Sequence, residues 1–281
     1  MVKVKSLHIY PVKSLGGIDL QKSELGIRGL KFDRTWMVSD ADGKFITQRH
    51  FAALATIKTA LTGEELILSH SKSSPLKIPL QLHANEAEGV TIWDDQVRAI
   101  DEGDTASAWL TQILGEVNGQ NVRLFRFDPE HIRAVNPRHL KDETAHTAFA
   151  DGYPFLVTST ESLKLLNDNL QHNEAMPVGM SRFRPNIVIE GVAAFEEDAL
   201  DSITSADESY ALGIRKPCQR CHVTTIDQST GMKIQPKEPL RTLVQMNTQP
   251  DLAGGHFGQN AILLHGEHKM IRIGDELRIQ K

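Results

Sequence analysis

The sequence predicts a mainly β fold made of two closely packed β-rich domains with a few flanking helices. Short runs of alternating apolar residues recur along the whole chain, as half-buried strands require. Turn signals such as Asp42-Gly43 and Gly274-Asp275 separate several of these runs. Two longer segments have the apolar spacing of helices instead. At 281 residues and 40% hydrophobic content, the chain can bury two cores of ordinary size.

The first domain is predicted to span residues 1–122. Strand patterns occur in the segments SLHIYPV, TWMVSDADGKFIT, EELILS and GVTIWDD. From Asp104 onward, the segment DTASAWLTQILG has apolar residues at helical spacing, and Gly115 follows as a stop signal. These features predict a small β-sheet or barrel that is closed by one helix.

The second domain is predicted to span residues 123–281. Near its start, the polar stretch FDPEHIRAVNPRHLKDETAHTA is typical of a linker or mobile loop. The segment TSTESLKLLNDNL predicts a helix, because Thr158 and Glu161 have the spacing of a capping box ahead of several leucines. Strands are predicted in DGYPFLVTS, RPNIVIEG, RCHVTTID, AILLH and MIRIGDELRI. This pattern predicts a second barrel or mixed sheet with few helices.

Charge and missing motifs argue against several classes of function. The formal net charge is −5, and no basic tail is present that would bind nucleic acid or a membrane surface. We expect a cytoplasmic protein with reduced thiols, because the chain has no signal peptide and no apolar run near the ~20 residues of a transmembrane helix. Dinucleotide fingerprints, Walker loops, G-x-S-x-G elbows and H-E-x-x-H helices are also missing.

Both cysteines of the chain, Cys218 and Cys221, lie in the segment KPCQRCHVTTIDQSTG. Its letters match a c-type haem attachment site, a redox dithiol and half of a zinc site. Covalent haem attachment is typical of exported proteins, and this sequence has no export signal. A zinc site needs four ligands, and the sequence offers no further ligands close to the two thiols. A thioredoxin-like dithiol opens a helix, whereas the β-branched run after Cys221 favours a strand. From the residues alone, two buried cysteines remain the simplest interpretation.

Several separated motifs nevertheless resemble one family in their order along nearly the whole chain. These motifs are HIYPVKSLGG, LKFDRTWMV, FITQR, ADGYPFLV, FRPNIVI, KPCQRCHVTTID and FGQN. They resemble MOSC proteins in which an N-terminal MOSC β-barrel domain precedes the MOSC domain, as in bacterial YcbX-type proteins and the mitochondrial amidoxime-reducing component. The resemblance implies a β-barrel fold, a bound molybdenum cofactor (Mo-molybdopterin) and reduction of N-hydroxylated compounds such as amidoximes and hydroxylamines.

The resemblance also implies the metal ligand. In the family, the second cysteine of the C-x-R-C element binds molybdenum, and this position is Cys221. Cys218 would then be a supporting thiol. A soft metal favours a thiolate ligand, and the neighbouring cations Arg220 and Lys216 would favour the thiolate over the thiol.

The phosphate of the cofactor requires a cluster of basic side chains. In the matching motifs, the candidates are Lys13 and Ser14 of YPVKS, Arg34 of FDRTW and Arg184 of FRPN. Lys13 and Arg34 belong to the first predicted domain, whereas Arg184 and Cys221 belong to the second. The site is therefore predicted at the domain interface, where ligand pockets are common.

Three further groups complete the predicted site. The amide of Asn186 would pair with the edge of the pterin. The backbone N–H groups of Gly152 and Tyr153 would form an anion nest near the phosphate. Arg49 of the TQR element is either another phosphate ligand or an ordinary surface arginine.

A reductase of this kind needs a separate electron donor. Two cysteines cannot hold a four-thiolate iron–sulfur cluster once Cys221 is committed, and the chain stops at Lys281, where YcbX-type relatives commonly continue into a ferredoxin-like domain. A ferredoxin, a cytochrome or a flavin reductase would supply the electrons. The alternatives are a non-catalytic molybdenum cofactor carrier or sulfur-transfer module, and a binding module that never loads metal.

Overall fold

A computed structural model describes residues 1–81 and 86–281, and strands dominate it, which confirms the predicted mainly β fold. The strands are β1 (Val2–Ile9), β2 (Ile18–Leu20), β3 (Lys22–Gly26), β4 (Gly29–Leu30), β5 (Trp36–Ser39), β6 (Lys58–Leu61), β7 (Glu65–His70), β8 (Ser73–Pro79), β9 (Glu88–Ile92), β10 (Asp95–Asp101), β11 (Arg123–Phe127), β12 (Phe155–Ser159), β13 (Ile187–Glu190), β14 (Ser202–Ser205), β15 (Ala211–Gln219), β16 (His256–His265), β17 (Met270–Arg272) and β18 (Glu276–Gln280). The α-helices are α1 (Asp104–Leu114), α2 (Thr160–His172) and α3 (Leu240–Met246). Short 3₁₀ helices cover Ala52–Thr56, Pro137–His139, Met180–Arg182, Glu196–Ala199 and His222–Thr225.

Seven of the described strands form a closed ring in the order β13-β12-β16-β15-β14-β18-β1, and β1 pairs in turn with β13. All neighbours in the ring are antiparallel except β12 and β13, which are parallel. Closure pairs the backbone groups that a sheet edge would otherwise expose. Apolar side chains fill the interior, including Val4, Phe155, Ile187, Ile203 and Leu212, which are at most 1% exposed.

The first strand of the chain completes this barrel. Strand β1 pairs with β13 from Lys3↔Glu190 to Leu7↔Ile187, and with β18 at Val2↔Leu277. The other six strands of the ring all lie after residue 154. The predicted division into residues 1–122 and 123–281 stays a prediction.

The remaining strands form three smaller sheets, with the orders β5-β11-β10-β9, β17-β3-β4 and β6-β7-β8. A second apolar core lies against the first and third of these sheets, and helix α1 covers it with Leu110. Trp36 of β5, Leu54 and Leu124 of β11 are buried in the same core.

Helices α1 and α2 were predicted, but the cap of α2 was assigned one residue too early. The N–H of Ser162 donates to Oγ of Ser159 at 3.1 Å, so Ser159 rather than Thr158 caps the helix. Helix α3 follows a proline-rich segment and was not predicted.

The strand predicted in RCHVTTID is wrong. Strand β15 ends at Gln219, and a 3₁₀ helix follows Cys221. The hydroxyl of Thr224 donates to the carbonyl of Cys221 at 2.9 Å, and the hydroxyl of Thr225 donates to that of His222 at 2.8 Å. These local bonds compete with a strand ladder and outweigh the β propensity of the two threonines.

The polar stretch after β11 is irregular apart from its short 3₁₀ helix, as predicted for a linker. Arg133 holds this stretch against strand β10 and the segment before β12. Its buried guanidinium forms an ion pair with Asp95 at 2.7 Å and donates to the carbonyls of Ala148 and Ala150. Among the described helices, none combines the length and the apolar character that crossing a bilayer would require.

A buried ion pair beside the second core leads to a prediction about stability. Glu102 accepts from Nε of Arg126 and from Nε1 of Trp36, both at 2.6 Å, and the two charged side chains are 5% exposed. We expect Glu102→Ala to lower the free energy of unfolding by about 3–5 kcal/mol, because Arg126 keeps a buried charge without its partner. Urea unfolding measures the change. An effect no larger than that of Glu64→Ala, at an exposed position, would contradict the expectation.

Candidate functional site

A cavity of about 190 Å³ is lined by segments that are far apart in the sequence, between residues 13 and 260. Its wall contains every site residue that the sequence predicts, namely Lys13, Ser14, Arg34, Gly152, Tyr153, Arg184, Asn186, Arg220 and Cys221. Arg49, the weaker candidate, lines the same cavity. The fold therefore brings all these residues together around one space.

The wall of the cavity is strongly cationic. Among the described residues, five basic side chains line it, those of Lys13, Arg34, Arg49, Arg184 and Arg220, against one carboxylate, Asp151. The chain as a whole has a formal net charge of −5, so the positive charge is local. A concave site with an excess of one sign of charge attracts a ligand of the opposite sign, here an anion.

Lys13 and Asp151 form an ion pair at the wall in which the lysine side chain is buried. Nζ of Lys13 is 2.5 Å from Oδ1 of Asp151 and donates to the carbonyl of Phe149 at 2.9 Å. Burial lowers the pKa of Lys13 against the opposing pull of Asp151. Desolvation would raise the pKa of Asp151, but the charge and hydrogen bond of Lys13 outweigh it and hold this pKa well below its usual range.

Arg34 and Arg184 lie side by side at the cavity. The guanidinium of Arg34 donates to both carboxylate oxygens of Asp33, at 2.7 and 2.6 Å, and to the carbonyl of Arg184 at 3.1 Å. Arg184 donates to the carbonyl of Leu15 at 2.7 Å and to Oε1 of Gln228 at 3.1 Å. Burial, with the nearby charge of Arg34, lowers the pKa of Arg184 to about 10, so that it remains a cation at neutral pH.

The backbone is strained at three of the predicted site residues. Ser14, Arg34 and Arg184 have φ angles of 70°, 45° and 55°, in the left-handed region that residues other than glycine rarely occupy. Each such residue costs on the order of 1 kcal/mol, and such strain persists mainly at functional sites. Their common position at one cavity supports a functional role independently of their side-chain chemistry.

Cys221 immediately precedes the 3₁₀ helix His222–Thr225 and lines the cavity as a free, half-buried thiol. The guanidinium beside its sulfur comes from Arg49, with Nη2 at 3.4 Å from Sγ. Arg220 lies beside the other thiol, because its Nη1 is 2.8 Å from Sγ of Cys218. The expectation that the guanidinium of Arg220 would lie beside the thiol of Cys221 is therefore wrong, because Arg49 takes that place.

The side chains of Asn186 and Tyr153 differ in the hydrogen bonds that they form within the protein. The amide of Asn186 accepts from the N–H of Leu156 at 3.1 Å and donates to the carbonyl of His8 at 3.2 Å. One N–H and one lone pair of this amide are left for a ligand. The hydroxyl of Tyr153, by contrast, is buried without a hydrogen-bond partner in the described structure.

Two more polar atoms of the wall are buried without partners among the described residues, Nη2 of Arg184 and Nε of Arg220. Buried donors are nearly always hydrogen-bonded in proteins, so exceptions need a physical reason. These two donors, on residues that line one cationic cavity, fit an anionic ligand that accepts hydrogen bonds.

Sequence reasoning missed several residues that shape the cavity. Trp93 lies against Arg49, with the guanidinium carbon 4.6 Å from the ring centre, and its Nε1 donates to Asp151 at 3.3 Å. Gln48 and Gln228 exchange a pair of amide hydrogen bonds at 3.0 and 2.9 Å and so join two distant segments. Asp151 and Gln48 lie inside the quoted motifs ADGYPFLV and FITQR, where a search for charged and amide side chains would have found them.

Within residues 1–81 and 86–281, no three histidine, cysteine, aspartate or glutamate side chains cluster as ligands for a metal ion. At the cavity, the sulfur of Cys221 is a ligand type that suits a soft metal.

In comparisons with known proteins, both halves of the chain match a family model. Residues 1–117 match the family model of the MOSC N-terminal beta barrel domain, and residues 144–278 match that of the MOSC domain. Human mitochondrial amidoxime-reducing component 1 is 33% identical, over 85% of this chain and 70% of the relative. Its Xenopus laevis counterpart is 31% identical, over 97% and 80%. Bovine molybdenum cofactor sulfurase is 27% identical, over 83% of this chain but 27% of its own length.

The Lys13–Asp151 pair predicts a pH dependence of stability. We expect Asp151→Asn to lower the free energy of unfolding at neutral pH, because the buried ammonium of Lys13 loses its carboxylate. The carboxylate has a lower pKa in the folded state, so the advantage of the wild type is complete above about pH 4 and shrinks as the pH falls towards the folded-state value. Urea unfolding at several pH values measures it.

Asp142→Asn is the matched control for this experiment, because Asp142 is exposed and lies in an irregular segment. An advantage of the wild type over Asp151→Asn that grows on acidification, or that Asp142→Asn reproduces, would contradict the assignment.

Proposed function

The chain belongs to the family that joins a MOSC N-terminal β-barrel domain to a MOSC domain, and we propose that it binds the molybdenum cofactor and reduces N-hydroxylated compounds. The observation that carries the proposal is the cavity in which the thiol of Cys221 shares one wall with five basic side chains of the described structure. A soft-metal ligand and an anion site thereby meet in one space.

The residues of the cavity fit this cofactor. Its phosphate suits the cationic wall and the unpartnered donors of Arg184 and Arg220. The polar edge of its pterin suits the free N–H and lone pair of Asn186. Its molybdenum suits the thiolate of Cys221.

Each side chain then has a defined task. Lys13, Arg34 and Arg184 bind the phosphate together with the hydroxyl of Ser14, and the backbone of Gly152 and Tyr153 completes the anion site. Cys221 supplies the sulfur ligand. Nη2 of Arg49, at 3.4 Å from Sγ, stabilises the thiolate by a charge-assisted hydrogen bond. When bound, the cofactor supplies the two-electron chemistry that removes the oxygen of an N–OH group as water.

The reaction needs two electrons and two protons for each amidoxime that becomes an amidine and water. A separate protein, namely a ferredoxin, a cytochrome or a flavin reductase, donates the electrons. The substrate is a small N-hydroxylated molecule that reaches Cys221 through the mouth of the cavity, and the reaction takes place in the cytoplasm.

The similarity to molybdenum cofactor sulfurase favours a second candidate. In this alternative, the cavity holds the cofactor or a persulfide on Cys221 without turnover, as a carrier or sulfur-transfer module would. The two candidates share the site and differ only in whether the bound cofactor reacts with substrate.

Turnover tests the proposed reaction. Protein that is purified from a cofactor-producing host and reduced anaerobically should convert benzamidoxime to benzamidine, as measured by chromatography of the product. A carrier would contain molybdenum and pterin but give no product. Protein without either component would favour a binding module.

The two thiols should differ in their contribution to catalysis. We expect Cys221→Ser to reduce benzamidoxime turnover by more than about 100-fold, because loss of a ligand should cost more than loss of an outer partner. Cys218→Ser is the matched control, because its sulfur lies at the same wall beside Arg220. It should retain most of the activity, because this sulfur is not the proposed ligand of the metal. Equal loss from both variants would indicate that the pair of thiols does the chemistry.

A further inference from the structure

One buried aromatic side chain contacts both arginines of the proposed anion site. Tyr10 follows strand β1 and is 5% exposed. The guanidinium carbons of Arg34 and Arg184 lie over its ring, 4.3 and 4.1 Å from the centre. Both distances are well within the range of a cation–π contact, which is stronger where water is excluded.

These contacts offset an electrostatic conflict. Arg34 and Arg184 bring two like charges to the same wall, and among the described residues a carboxylate pairs with Arg34, namely Asp33, but not with Arg184. Nη2 of Arg184 is buried without a partner in the described structure. The negative face of an aromatic ring attracts both cations without neutralising either, so both charges remain available to an anion.

Backbone hydrogen bonds fix Tyr10 relative to the same two residues. The N–H of Tyr10 donates to Oδ1 of Asp33 at 2.8 Å, and this oxygen also accepts from Arg34. The N–H of Arg34 donates to the carbonyl of Tyr10 at 2.9 Å. Tyr10, Asp33 and Arg34 thus form one connected unit against which Arg184 packs.

Gly17 provides the space that the ring occupies. A Cβ atom at this position would lie 2.6 Å from Cε1 and 2.9 Å from Cδ1 of Tyr10, which is closer than atoms can approach. Gly17 does not line the 190 Å³ cavity, and the atoms nearest to a Cβ at this position belong to Tyr10 and Ile9, so a substitution there would displace the ring first.

We propose that Tyr10 is a positioning residue for anion binding, whose ring holds the guanidiniums of Arg34 and Arg184 in the arrangement that receives the cofactor phosphate. The proposal rests on the proposed function, because it assigns the phosphate to these two arginines. It adds a residue that does not itself contact the ligand.

Binding of inorganic phosphate to the full-length, cofactor-free chain tests this role by calorimetry. Tyr10→Leu removes the ring and should raise the Kd for phosphate by about tenfold, as expected from the loss of two desolvated cation–π contacts. Tyr10→Phe keeps the ring and should bind phosphate nearly as the wild type does. Wild-type affinity in Tyr10→Leu, or no phosphate binding by the wild type, would overturn the proposal.

Matched variants separate positioning from general damage to the fold. Tyr210 is buried, and its hydroxyl donates to Asp275 at 3.1 Å, so Tyr210→Leu should lower the melting temperature but leave phosphate affinity unchanged. Gly17→Ala should weaken phosphate binding, whereas Gly63→Ala, where a Cβ would meet nothing within 4 Å, should not. Equal affinities for the two glycine variants would count against the proposal even if Tyr10→Leu fails to fold.

Two outcomes distinguish this proposal from the proposed function. Phosphate affinity that depends on Tyr10, in a protein that carries no pterin and gives no turnover, would support the positioning role and refute the reductase. Pterin content and turnover that are as high in Tyr10→Leu as in the wild type would support the reductase and refute the positioning role.

Discussion

Mutual repulsion among basic side chains is the constraint on which this site depends. In the described structure, five cations line one cavity of about 190 Å³ with a single carboxylate among them. Four of the cations have an identified partner: Lys13 pairs with Asp151, Arg34 with Asp33, Arg49 packs on the ring of Trp93, and Arg220 donates to the carbonyl of Phe183. Arg184 donates to a carbonyl and an amide oxygen, and within residues 1–81 and 86–281 it has no carboxylate partner and one buried donor without a partner. The wall therefore carries more positive than negative charge, and an anionic ligand can balance the excess.

The closed barrel explains how such a wall can be maintained. Strand β1 pairs with β13 and β18, so the segment that follows it, with Tyr10 and Lys13, is fixed against the segment that contains Arg184. The left-handed backbone at Ser14, Arg34 and Arg184 is strained, and the surrounding hydrogen bonds stabilise it. The strained arrangement of the cations thus lowers the stability of the fold, as is common where a functional site is held in a fixed geometry.

The fold class was predictable because strand alternation and turn residues are local signals, and helix α2 was predictable from its leucine spacing. Closure of the ring by β1 was not, since pairing between Lys3 and Glu190 joins residues that no local pattern connects. The strand expected after Cys221 failed because threonine hydroxyls bond to nearby carbonyls, a choice that propensity does not encode.

The members of the site could be named from motifs, but their partners could not. Cys221 and Arg220 are adjacent in sequence, yet Arg49 is the residue whose guanidinium reaches the sulfur of Cys221. Tyr10 lies within a quoted motif, but its contacts with Arg34 and Arg184 depend on three distant segments meeting. Sequence patterns identify residue types, whereas contacts of this kind are set by tertiary packing.

Molybdenum K-edge X-ray absorption on loaded protein tests the sulfur ligand most directly. The metal should lose one sulfur neighbour in Cys221→Ser relative to the wild type, while the pterin content is retained by the cationic wall. An identical sulfur shell in the two proteins would contradict the assignment of Cys221 as the ligand of the metal.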